Sequence, residues 1–179
     1  MATWTFDNVH SIVGFSVRHL MISKVRGHFN KWGGTFEYDP KNPSATKIDV
    51  TIEAASIDTR EEKRDAHLRS PDFFDVEKYP TLTFKSTSVS GSGEELVLHG
   101  DLTIHGVTKA VQLKVESLGT TKDPWGGERA GFSASTSVNR KDFGLHWNVA
   151  LEAGGVLVGE KVEIGIEVEA ILAAKTQAA

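Results

Sequence analysis

Residues 161–169, KVEIGIEVE, alternate Val162, Ile164, Ile166 and Val168 with Lys161, Glu163, Gly165, Glu167 and Glu169. Successive side chains of an extended chain point to opposite faces, so this stretch has one apolar and one largely charged face, as a half-buried strand requires. The period of two recurs. Val13, Phe15, Val17 and His19 share a face opposite Ser16 and Arg18, and Ile48, Val50 and Ile52 oppose Lys47, Asp49, Thr51 and Glu53. Leu82 and Phe84 oppose Thr81, Thr83 and Lys85, while Leu96, Leu98, Leu102 and Ile104 oppose His99, Asp101, Thr103 and His105. Val111, Leu113 and Val115 oppose Gln112, Lys114 and Glu116, and Phe132, Ala134 and Val138 oppose Ser133, Ser135 and Ser137. Residues 25–38 are less regular: Val25, Gly27 and Phe29 fall on odd numbers, then Trp32, Gly34, Phe36 and Tyr38 on even ones. A slip of one residue would turn the second half outward, so a bulge is expected, and Gly33–Gly34 suits it.

These segments make eight strands. Most are joined by turn chemistry: Asp39-Pro40-Lys41-Asn42-Pro43, Ser90-Gly91-Ser92-Gly93, Gly106-Val107-Thr108 and Asp123-Pro124-Trp125-Gly126-Gly127. Short connections make neighbours antiparallel. The pattern predicts an all-β fold, an eight-stranded antiparallel up-and-down barrel or a sandwich; closure would remove both exposed edges. One domain over residues 1–174 with a tail at 175–179 is expected.

One segment departs from this rhythm. Residues 58–80, DTREEKRDAHLRSPDFFDVEKYP, offer Asp58 or Thr59 as N-cap, acidic residues in a first turn, helix formers, and a stop at Ser70-Pro71. A helical connection near residues 59–70 follows. Phe73-Phe74, with Leu68 and Tyr79, makes the segment either a plug on the barrel rim or a lid over a pocket.

Composition narrows the function classes. The 179 residues are 39% hydrophobic and 25% charged, with 17 Gly and no Cys, which suits a globular chain rather than a disordered or fibrous one. Without Cys there is no disulfide, thiolate metal site or thiol nucleophile. Net charge is −4, and the densest basic cluster, Arg60, Lys63, Arg64 and Arg69, is interrupted by Glu61, Glu62 and Asp65, so no nucleic-acid stripe is present. No apolar run approaches the ~20 residues of a transmembrane span. The stretch MATWTFDNVHS has no basic n-region or apolar h-region, so a cytoplasmic location is expected, or a periplasmic or secreted one if the chain is a mature or trimmed form.

Catalytic motifs fail on inspection. Gly154–Gly159 has phosphate-loop spacing, but Glu160 stands where Lys is needed. Ser90-Gly91-Ser92-Gly93 is not a nucleophile elbow. Asp7, His10 and Ser11 lie close in sequence, and a polar turn at the start of a strand accounts for them. Seven His give no HExxH and no pair at helical spacing, so no metal or other cofactor is expected.

Five blocks in order carry a resemblance: DNVHSIVGFSVRH (Asp7 to His19), VRGHF (Val25 to Phe29), RDAHLRSPDFFDVEKYPTLTFKS (Arg64 to Ser86), GDLTIHGVTK (Gly100 to Lys109) and GFSASTSVNRKDFGLHW (Gly131 to Trp147). The chain resembles the YceI-like family of polyisoprenoid-binding barrels. That resemblance implies a lipocalin-like eight-stranded barrel with an elongated cavity holding a long isoprenoid or another amphiphile. It also makes a homodimer worth testing, and many members carry a signal peptide, which this chain does not show.

Whether such a barrel is filled or hollow decides its function. Phe15, Phe29, Phe84 and Phe132 point inward beside small Gly27, Gly100 and Ala134, and small inward residues either open a channel or relieve curvature. Parity and loop position give the cavity lining as Val13, Phe15, Val17, His19, Phe29, Leu68, Phe74, Phe84, Phe132 and Trp147. Head-group candidates are His19, His67, Arg140 and Asn148; Arg140 also has a structural alternative, pinning the turn before Gly144 with Asp142. His19, isolated in an apolar lining, would otherwise be satisfied by a buried carbonyl or water. The expected function is non-catalytic lipid carriage, storage or sequestration, against a filled barrel acting as a protein-interaction module or a lipid-modifying enzyme.

Overall fold

A computed structural model describes residues 1–174. The expected tail, 175–179, lies outside the described residues. Among the described residues, eleven strands form one antiparallel sheet that closes on itself. The strands are β1 (Ala2–Phe6), β2 (Ile12–His19), β3 (Ser23–Phe29), β4 (Trp32–Tyr38), β5 (Lys47–Glu53) and β6 (Ile57–Asp58). After helix α1 (Glu62–Arg69) come β7 (Thr81–Ser92), β8 (Glu95–Ile104), β9 (Val107–Lys122), β10 (Glu128–Asn139) and β11 (Val158–Leu172).

The eleven pieces make eight staves, because three staves are each broken in two. The 15-residue β11 pairs along one edge with β10; along the other it pairs with β1 at residues 170–172 and with β2 at 158–167. So β1 and β2 lie end to end. Likewise β3 and β4 continue each other, pairing with β2 and β1 on one side and with β6 and β5 on the other. The remaining order, β5–β7–β8–β9–β10–β11, is sequential. The barrel is therefore closed and up-and-down, and the sandwich alternative falls away. Closure leaves every long strand paired on both edges.

The slip in residues 25–38 is absorbed elsewhere than expected. Asn30 and Lys31, between β3 and β4, both face solvent, and this pair of outward residues restores the inward parity of Trp32. Gly33 and Gly34 keep regular register with Thr51 and Val50. Gly34 marks a close approach instead: a Cβ there would collide with the Asp49 carbonyl on β5.

Helix α1 begins later than the first cap candidates predict. Ile57 and Asp58 still pair with β3, so the chain must first turn, with Arg60 at φ 65°. The cap is Glu61, whose carboxylate accepts the N–H groups of Lys63 (3.2 Å) and Arg64 (2.6 Å). Thr59 is held by the buried Asp65, which accepts its N–H (2.9 Å) and its hydroxyl (2.5 Å). Leu68, Phe73 and Phe74 then turn inward and close that end of the barrel; Phe74 meets Phe29 edge-on at 6.0 Å. The opposite end is packed by Trp4, Phe36, Tyr38 and Phe132, with the Trp4 indole N–H donating to the Tyr38 carbonyl at 3.1 Å. Among the described residues no helix is long and apolar enough to cross a membrane.

Candidate functional site

Between the two ends lies a cavity of about 420 Å³, within the range of small-molecule sites. The barrel is hollow. Its wall is almost wholly apolar because inward residues of every stave alternate as the period of two requires. All ten side chains named from parity and loop position lie on this wall: Val13, Phe15, Val17, His19, Phe29, Leu68, Phe74, Phe84, Phe132 and Trp147.

At two small inward residues the vacant side-chain space is taken by phenylalanine rings. A Cβ at Gly27 would lie 2.5 Å from Cζ of Phe15, its direct cross-strand partner, and one at Gly100 would overlap the Phe84 ring. The far end of each ring sits over its glycine. These glycines therefore move phenylalanine rings toward the wall and away from the axis, while Ala134 sits on the wall itself.

The charged and imidazole-bearing lining gathers at the helix end, while Thr46 and Tyr38 lie at the other and Thr136 between them. Arg18 and His19 end β2, Thr59 follows β6, Arg64 and His67 lie on α1, and Arg140 follows β10. No Asp or Glu lines the cavity among the described residues. This end of the cavity is cationic, which favours an anionic or hydrogen-bond-accepting group there.

The head-group candidates fare differently. Arg140 is buried and already committed: Nε donates to Gly159 O (2.8 Å), Nη1 to Leu145 O (2.7 Å) and Trp147 O (2.9 Å), and Nη2 to Val158 O (3.3 Å). Burial lowers its pKa, with Glu160 opposing the shift. It staples residues 145–147 to the start of β11, and its partners are carbonyls, not the expected Asp142. Asn148 is off the cavity wall; its amide donates to Val158 O at 2.7 Å and accepts Val158 N–H at 3.0 Å, imitating a strand pair. His67 stands on the wall but bonds Asp72 at 2.8 Å and packs edge-on against Trp147 at 4.6 Å. His19, half-buried, has no hydrogen-bond partner for its imidazole among the described residues, so the expected buried carbonyl is not there. Arg18, which alternation places outward, reaches the cavity edge beside it.

Other wall residues are also legible in the sequence pattern. Trp32, Phe36 and Tyr38 follow the even parity of β4, and Phe73 adjoins Phe74. Thr59 and Arg64 carried no signal, because only the turn at Arg60 brings them to the wall.

Asp7, His10 and Glu169 place ligand atoms within 4.8 Å of one another, a spacing that suits a metal. Arg129 fills that role: its guanidinium bonds Asp7 (2.8 Å), Asp123 (3.0 Å) and Glu169. The His10 and Arg129 hydrogen bonds hold the Asp7 carboxyl down to about 2, and Asp7 in turn raises the His10 imidazole. Ser11 donates to Glu169 O and accepts Glu169 N–H (2.9 Å), completing a polar turn that bridges β1 and β2. None of these groups lies on the cavity wall.

The model of the YceI-like domain matches residues 4–170. Protein YceI of Shigella flexneri is 45% identical over 165 residues, 92% of this chain and 83% of that protein. The crystal structure of the Campylobacter jejuni YCEI protein shares 35% identity and a TM-score of 0.75, covering 88% of this chain and 90% of that one. A polyisoprenoid binding domain from Saccharophagus degradans has a TM-score of 0.69 over 97% of this chain and 100% of its own, at 15% identity, a likeness of fold. Order of blocks, barrel and coverage agree along almost the whole described chain, and the protein belongs to the YceI-like family.

Proposed function

We propose that the barrel binds a long-chain isoprenoid or similar amphiphilic lipid in its cavity, without transforming it, for carriage, storage or sequestration. The observation that carries this reading is the hollow, apolar-walled interior of about 420 Å³ with cationic residues at one end. Burying each CH₂ contributes ~0.8 kcal/mol, so a ten-carbon stretch contributes ~8 kcal/mol before ordering costs. An apolar chain occupies the barrel, and a polar or anionic head group faces His19, with Arg18 beside it. His19 is favoured over Arg140 and Asn148 because their polar atoms are already bonded to the backbone. The fold shared with the Saccharophagus degradans domain supports the ligand class.

An enzymatic reading has less support: among the described residues the one cluster of three acidic and His groups, at Asp7, is off the cavity wall and bound to Arg129, and His67, on the wall and paired with Asp72, has no nucleophile motif beside it. The filled-barrel module does not fit a hollow interior.

Native mass spectrometry of purified protein, before and after organic extraction, is expected to show a co-purifying lipid; delipidated protein is expected to take up a fluorescent prenyl probe. Absence of both overturns the proposal. Ala134→Phe, which fills the wall of β10, is expected to lower uptake with the fold intact. Chemical turnover of the probe, abolished by His19→Ala, would replace binding with catalysis.

A further inference from the structure

We infer that the hairpin tip at Leu20, Met21 and Ile22 docks the barrel on an anionic lipid bilayer; the inference rests on the lipid-binding reading for its purpose, but its test does not.

Three consecutive large apolar residues stand in solvent here, with relative exposures of 38%, 61% and 81%. The turn is built against its own backbone preference. Leu20 (φ 52°) and Met21 (φ 61°) are both left-handed, closed by the Ile22 N–H donating to His19 O at 3.2 Å. Hairpin turns of this hand ordinarily use Asn-Gly, because Cβ crowds the backbone carbonyl there; Gly has none, and Asn offsets the cost with a local hydrogen bond. Leu-Met thus costs free energy twice, in backbone strain and in exposed apolar surface. Insertion into an apolar medium removes the second cost and gives the first a reason, as strain at a functional site requires.

The surroundings fit the same partner. From residue 8 to residue 36 there is no Asp or Glu, whereas Arg18, Lys24, Arg26 and Lys31 are present, in a chain of net charge −4. Lys24 is paired with Glu163 at 2.9 Å, and Lys31, past the far end of β3, with Glu53 at 4.0 Å; Arg18, next to the tip, is exposed and has no ion-pair partner among the described residues. A cationic flank beside an apolar tip complements anionic head groups. Val149, also exposed, and the backbone of Gly155, against which Met21 packs, extend the apolar rim.

The tip is continuous with the cavity. The Leu20 N–H donates to Leu157 O at 2.9 Å, and Leu157, Arg18 and His19 line the cavity's helix end. Docking here sets the unpartnered imidazole and the cationic end of the cavity at the depth of lipid head groups. A ligand then passes between bilayer and barrel without crossing bulk water.

Flotation of the full chain with phosphatidylcholine vesicles, with and without phosphatidylglycerol, tests this. Wild type is expected to float with the anionic vesicles and less with the neutral ones. Leu20→Asn with Met21→Gly installs the residues the turn prefers, so its melting temperature should hold or rise while vesicle affinity falls at least about ten-fold. Ile22→Thr gives a second, milder variant with the same direction. Failure of wild type to float, or a double variant that floats as well, overturns docking. So does a wild-type dimer, seen by sedimentation and lost in the double variant, that does not bind vesicles, because a second copy then covers the tip. Prenyl-probe uptake without vesicles is expected to be equal in wild type and double variant. A wild type that docks but takes up no probe sinks the lipid cavity and leaves docking standing.

Discussion

Arg140 shows how one side chain can look functional in a sequence and be structural in the fold. Its guanidinium bonds four backbone carbonyls from two segments, residues 145–147 and 158–159. Hydrogen bonds to a charged group each contribute more than neutral ones, and truncation would leave several buried acceptors unpaired. Arg140→Ala is expected to destabilise the protein by about 3 kcal/mol in urea unfolding. Arg140→Lys should recover little of it, since an ammonium cannot span the same carbonyls. A loss below about 1 kcal/mol would remove the staple from the account. His19 is the converse case: parity placed it inward, and its lack of a protein partner emerged only with its neighbours in place. Gly27 and Gly100 are intermediate, legible as small inward residues but not as seats for the rings of Phe15 and Phe84.

At the scale of elements, the joints between strand pieces carry the polar chemistry. The β1–β2 joint presents Asp7 to Arg129 of β10, which also holds Asp123 of the β9–β10 turn and Glu169 of β11. This hub ties the first stave to the last where the barrel closes. Its pH dependence has a defined sign. The Asp7 pKa falls from 3.8 to about 2 on folding, so its stabilisation is full above 3.8 and is lost as pH falls through about 2. His10 is raised above 6.5, so its contribution is full below 6.5 and is lost as pH rises through the raised value. The urea midpoint of wild type relative to Asp7→Asn should therefore widen from pH 2 to 4 and narrow above pH 6.5. Parallel profiles would exclude the pair as a contributor. The sequence marked Asp7, His10 and Ser11 as a polar turn, but Arg129 lies 122 residues from Asp7, and no local pattern joins them.

For the whole molecule, a hollow barrel forgoes the packing that a filled one would have, and a ligand restores it. A ligand that binds only the folded state stabilises it by about 2.7 kcal/mol at a free concentration of 100 Kd. For a chain of this size that corresponds to a rise in Tm of about 5–10 °C. Calorimetry of delipidated and reloaded protein is expected to show that rise, and an unchanged Tm at saturation would mean that the cavity does not take the ligand. Aromatic side chains narrow both ends, Trp4 with Tyr38 at one and Phe29 with Phe74 at the other.

The 39% apolar share is unexceptional, yet its arrangement in alternate positions determined the eight staves, their antiparallel succession and the inward set, KVEIGIEVE being the clearest instance. Alternation is local: each side chain's face follows from its neighbours at i±1 and i±2, and a reader needs nothing else. The tertiary structure alone decided that three staves are broken, that Asn30–Lys31 and not Gly33–Gly34 absorbs the slip, and that the interior is hollow. It alone separated His19 from Arg140 and Asn148. Those outcomes depend on which groups meet across the barrel, and whether a polar side chain is free or a ring folds over a glycine is set by partners distant in the chain.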